Sequence, residues 1–117
     1  LVHRALWDLV GGMSIDFSPG MYSDPDLSRK LVHAGVRLFM GKGNSLVYHF
    51  GSKSTGRIKR NDGRKTFLMK WGLSAGAFNK DYLKLGTDFS GPVKIPVETG
   101  AQRIARRLKT IWSGIRG

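Results

Sequence analysis

Two carboxylates separated by one residue, Asp24-Pro25-Asp26, stand where a Gly-Met-Tyr-Ser loop runs into an apolar-periodic segment. A carboxylate at such a junction can act as a general base when a substrate hydroxyl lies within hydrogen-bond reach. The same position suits helix capping, because Asp and Ser accept from the free N–H groups of a first turn. On local pattern both uses stay open. His49 ends the run Leu46-Val47-Tyr48-His49-Phe50. An imidazole there can ligate a metal through one ring nitrogen, or simply pack. His3 and His33 have no ligand spacing to it, so a metal site needs oxygen or nitrogen ligands from elsewhere. The stretch from Gly51 to Arg60 mixes glycine, hydroxyl and cationic residues that can contact phosphate oxygens, or form a solvated basic loop. It has no Gly-Lys-Ser/Thr triplet and is not a Walker loop. Trp7, Tyr22 and Trp71 can stack on a sugar or a base, or fill a core.

The elements that must hold these residues are short. His3–Val10 has the spacing of a helix stopped by Gly11-Gly12. Residues 13–21 read as a loop with a Pro19-Gly20 turn. A helix then starts at Ser23 or Asp24 as cap, with Pro25 in its first turn and Leu27, Leu31 and Ala34 as its apolar face. Val36–Met40 and Ser45–Phe50 read as strands around a turn at Gly41–Asn44. Residues 52–63 read as a loop. Three further helices are expected. They are Arg64–Trp71 capped by Asn61 or Asp62, Ser74–Leu85 capped by Ser74, and Ala101–Ile115. Two strands do not make a self-sufficient sheet, so this α/β pattern reads as the edge of a larger layer.

Composition narrows the classes. The chain has 117 residues, of which 40% are apolar, enough for a core. No apolar run reaches the ~20 residues of a membrane-spanning helix. With no cysteine, disulfides, thiolate zinc sites and cysteine nucleophiles are excluded. The net charge of +12 points to an anionic partner. That charge is uneven. Residues 1–50 carry five Lys and Arg against four Asp, whereas residues 51–117 carry fifteen against four acids. The chain opens on Leu1-Val2 with no polar lead-in and no secretory pattern, which reads as a fragment.

The order of motifs resembles the C-terminal half of family 2 glycosyltransferases of the GT-A fold, in their bacterial form. The matching residues are Trp7 with Gly11-Gly12, Asp16-Phe17-Ser18-Pro19-Gly20-Met21, Ser23-Asp24-Pro25-Asp26-Leu27, Ala34-Gly35-Val36 and Val47-Tyr48-His49-Phe50. Gly51–Arg57 and Lys70-Trp71-Gly72 continue the match, over residues 1–92. The resemblance implies an α/β, Rossmann-like fold, with residues 1–87 as the acceptor-side portion of a transferase domain. From the residues themselves, 88–100, with two prolines and two glycines, read as a linker, and 101–117 as a basic amphipathic C-terminal helix with Ile104, Leu108, Ile111, Trp112 and Ile115 on one face. The resemblance further implies Asp24 as general base, His49 at a divalent metal (Mn or Mg) or the diphosphate, and Lys53 and Arg57 on the leaving diphosphate. Trp7, Met21 and Tyr22 would line the acceptor side. Ser23 departs from the family, which usually has glutamate there.

The implied activity is transfer of a sugar, with inversion, from a nucleotide-sugar donor to a glycan or lipid-linked acceptor. It would take place in the cytoplasm or on the inner face of the membrane, with residues 101–117 against an anionic lipid surface. The family's nucleotide-binding half and its Asp-x-Asp metal motif lie upstream of the matched region, and the metal is expected only with that half. The alternative is a small basic nucleic-acid-binding module, which the charge favours. No recognition motif for a specific nucleic acid appears, so no specific nucleic acid is expected as a partner. On the leading reading, residues 1–117 alone give no transfer from any nucleotide sugar. Turnover of a radiolabelled donor by the isolated chain would overturn that expectation.

Overall fold

The computed structural model describes residues 1–19, 21–48 and 61–115. Every regular element among them is helical. Helix α1 spans Arg4–Val10, α2 Ser23–His33, α3 Gly63–Trp71, α4 Ala75–Ala77 and α5 Gly100–Ile115. A 3-10 turn, Ile15–Phe17, lies between α1 and α2, and α4 runs on through a wider π-type turn, Phe78–Tyr82.

The ends of these helices follow from their sequences. The His3 ring accepts from the Ala5 N–H at 3.2 Å, and Gly11 closes α1 in the left-handed region at φ 71°. Asp62 caps α3 by accepting from Lys65 N–H, and Ser74 caps α4 by accepting from Ala77 N–H, both as expected. Thr99 and Gln102 form a reciprocal capping box at α5. The Thr99 N–H donates to Gln102 Oε1 at 2.9 Å, and the Gln102 N–H donates to Thr99 Oγ1 at 3.3 Å. Helix α2 differs from expectation. Its N-cap is Tyr22, at φ 69° and with no side-chain cap bond, so neither Ser23 nor Asp24 caps it.

The core is a row of rings from three parts of the chain. Phe17 stands 6.5 Å from Phe67, Phe67 6.2 Å from Phe78, and Phe78 5.5 Å from Tyr82, all tilted. These are ordinary spacings for attractive aromatic pairs. Val32, Leu73 and Ala75 complete the buried cluster, with Tyr22, Phe39, Trp71 and Leu83 against it. The 3-10 turn thus delivers Phe17 from what the sequence reads as a plain loop.

The α/β expectation is overturned. Among the described residues there is no strand, and the arrangement is not a Rossmann-like domain. The segment 36–40 is extended. Among the described residues it makes one backbone bond to a distant segment, from Val93 N–H to the Arg37 carbonyl at 2.7 Å. Residues 45–48 are exposed and irregular, and positions 49–50 of that expected strand lie outside the described residues. The physical reason is that a strand is stabilised by its neighbours. β-branched and aromatic residues alone do not supply a ladder.

Gly63 ties α3 to the start of α2. A Cβ added there would run into the Met21 carbonyl and come within 3.1 Å of Tyr22 Cβ. Gly63→Ala should therefore cost about 1–3 kcal/mol, the usual range for overpacking. Urea unfolding of the variant against the parent measures this, and unchanged stability would mean that the contact yields freely.

Candidate functional site

The site is built on the first turn of α2. Residues two apart on a helix point to nearly opposite sides, so Asp24 and Asp26 cannot share a task. Asp26 points inward and is 0% exposed. Ser14 Oγ donates to its Oδ2 at 2.6 Å and Trp71 Nε1 to its Oδ1 at 2.7 Å. Lys70 Nζ lies 3.1 Å from Oδ1 and 3.4 Å from Oδ2. The same ammonium reaches Ser14 Oγ at 3.0 Å and Asp16 at 3.4 Å. A buried carboxylate is tolerable only when paired and hydrogen-bonded in this way.

Asp24 points outward. It is exposed, and no hydrogen bond or ion pair to it is found among the described residues. It lines an open cleft of about 850 Å³ together with His3, Leu6, Leu31, Leu38 and Leu83. Asp24 is the one acid on that wall among the described residues, which is otherwise mostly aliphatic. Its place in the first turn also sets it at the positive end of the α2 dipole, which favours an anion there. An unengaged carboxylate beside an apolar cleft can accept a proton from a hydroxyl presented against those walls.

The remaining candidates divide. Trp7 covers Gly12 so closely that a Cβ there would meet the indole at 2.8 Å. Trp7 borders a separate shallow depression with Val2, Arg4 and Asp8, and not the Asp24 cleft. Met21 and Tyr22 do not line that cleft either. The Met21 backbone meets Gly63, and Tyr22 packs against the core. His49, Lys53 and Arg57 lie outside the described residues. Among the described residues no group of three or more His, Asp or Glu could hold a metal ion. The residues described here therefore do not fit a divalent cation by themselves.

Sequence reasoning did not foresee that Asp26 is buried and paired with Lys70, nor that Arg29 and Lys30 engage the same side of α2. Lys30 Nζ donates to the carbonyls of Val10 at 3.0 Å and Gly12 at 2.5 Å, so it closes the C-terminus of α1 and holds it beside α2. The Arg29 guanidinium lies 4.8 Å from the Tyr82 ring centre, 5.5 Å from Trp71 and 5.7 Å from Phe78. The signal that could have found the α2 residues is the spacing Asp26, Arg29, Lys30, His33, one stripe along a helix; nothing local points to Lys70.

No family model, curated protein or solved structure matches this chain.

Exchanging each carboxylate for alanine separates the two roles. Asp26→Ala leaves the Lys70 charge, the Trp71 N–H and Ser14 without their acceptor and should cost about 3–5 kcal/mol. Asp24→Ala loses only the dipole interaction and should cost under about 1 kcal/mol. Denaturant unfolding of both variants checks this, and equal losses would contradict the division.

Proposed function

We propose that the chain is the acceptor-side part of an inverting glycosyltransferase, with Asp24 as general base. What supports the reading most is the state of Asp24. Of the acidic pair it is the member left unengaged, exposed and facing an apolar-walled cleft. The motif resemblance assigns the base to that same residue. Asp24 would take the proton of an acceptor hydroxyl, on a glycan or lipid-linked acceptor. The oxygen would then attack the anomeric carbon of a nucleotide sugar as the bond to the diphosphate breaks, and the nucleoside diphosphate would leave with that electron pair.

The resemblance carries His49, Lys53 and Arg57 to the leaving-group side. A bound Mn or Mg ion would supply charge neutralisation there, with ligands outside the described residues. The reading places the reaction at the cytoplasmic face of a membrane. Among the described residues no helix is long and apolar enough to cross one.

Arg29, Lys30, Arg37, Lys70 and Arg106 are each committed to contacts within the protein, so these five would not serve the nucleic-acid alternative, which needs cations free to reach phosphates.

The test is made at the gene's own locus, so that any residues before or after these 117 are retained. Asp24→Asn there should lower transfer from nucleotide sugars to membrane glycan acceptors by about 10²-fold or more, the usual contribution of a positioned base. Protein level should be unchanged, and Asp24→Glu should recover part of the activity. Full activity in Asp24→Asn would end the proposal.

A further inference from the structure

Helix α5 packs on its own protein by the wrong face for a core helix. Its half-covered residues are Arg106, Thr110 and Ser113. Arg106 lies over Gly72 and pairs with Glu98 at 2.6 Å, and a Cβ on Gly114 would meet Met69 at 3.3 Å. These contacts put the polar side of α5 against α3. Ile104, Leu108, Ile111, Trp112 and Ile115 recur at spacings of three and four, so they form one stripe. At 3.6 residues per turn that stripe lies about 180° from the Arg106–Thr110–Ser113 side. Its five side chains are 57–77% exposed.

The surroundings of the stripe say what would cover it. Arg107 borders one edge and Lys109 the other, with Arg103 beyond Arg107. The helix carries no acidic residue. Cations flanking an aliphatic stripe with a tryptophan on it are arranged as an in-plane interfacial helix requires. The stripe enters the acyl boundary, the long cationic chains snorkel to the headgroups, and the indole sits between. A second copy of the chain would bring like charge against like charge, in a protein of net charge +12. A nucleic acid would leave the aliphatic side chains in water.

We propose that α5 docks on a bilayer containing anionic phospholipid, lying in its surface with Ile104, Leu108, Ile111, Trp112 and Ile115 inward. The Thr99–Gln102 capping box and the Glu98–Arg106 pair close the first turns of this helix. Nothing in the proposal depends on the transferase reading, and its test contains no activity measurement.

The experiment is co-sedimentation of the 117-residue chain with large vesicles of phosphatidylcholine, with and without phosphatidylglycerol. Binding to the anionic vesicles is expected to exceed binding to the neutral ones by about tenfold or more. Lys and Arg near such a surface are drawn to its negative potential, and the preference should shrink as salt screens it. Leu108→Asp with Ile111→Asp should abolish binding at low and physiological salt. Arg103→Gln, Arg107→Gln and Lys109→Gln together should remove most of the anionic preference. Circular dichroism without lipid checks that the variants keep the helical content of the parent. Anionic binding that survives the double Asp variant would overturn the proposal, since general basic charge would then explain it. So would lipid-free self-association that the same variant abolishes, because the stripe would then be an interface between copies.

Discussion

The buried carboxylate of Asp26 is the constraint on which the rest of this arrangement depends. It collects a hydroxyl from the segment before α2, an indole N–H from the end of α3 and an ammonium from the residue before that indole. Three stretches of chain therefore meet at two oxygen atoms. Removing such a charge from water is costly, and the cost is offset only if all the partners arrive together. That condition is also what fixes the rotation of α2. With Asp26 turned inward, Arg29, Lys30 and His33 follow on the same stripe, and each finds a use there. Arg29 lies over three aromatic rings and Lys30 closes α1. The His33 ring stands 6.2 Å from Trp71.

The same rotation turns the aliphatic side of α2 toward the open cleft. Leu27 and Leu31 line it together with Asp24, on the same side of the helix. Both sides of the helix are covered: Leu31 is buried and Leu27 half-buried on the cleft side, while the stripe of charge finds its partners on the Trp71 side. The availability of Asp24 is thus a consequence of the commitment of Asp26. The two acids differ by one intervening proline, and the helical repeat gives them opposite environments.

Helices were legible in the sequence because their information is local. Gly11, Asp62 and Ser74 act on backbone groups within a few residues, and α1 and α3 sit where their spacing puts them, whereas the expected helix Ser74–Leu85 is the three-residue α4 followed by a π-type turn that ends at Tyr82. The strands were not legible in the same way. Val36–Met40 has the residue types of a strand, yet whether it becomes one depends on a partner that its own sequence does not specify. The candidate site was half legible. The acidic pair marks the place, but which acid is spent on structure depends on Ser14, Lys70 and Trp71, 12 to 45 residues away. The cap at Tyr22 was hidden as well. It rests on a left-handed backbone held against Gly63, a contact 41 residues distant in sequence that no local rule contains.

Helix α5 carries the same lesson in reverse. Its periodicity identified an apolar stripe correctly, but amphipathic pattern alone does not say which way the stripe faces. In a bundle, burial would draw it inward at roughly 25 cal/mol for each Å² covered. Here Arg106 engages Glu98 and settles over Gly72, and Met69 meets the helix again at Gly114, where a Cβ would come within 3.3 Å of the Met69 side chain. These contacts hold the polar side of α5 against α3 and leave the aliphatic side on the outside. An exposed apolar stripe of that kind marks an interaction site, and the cations along both of its edges are what the proposed anionic bilayer would engage.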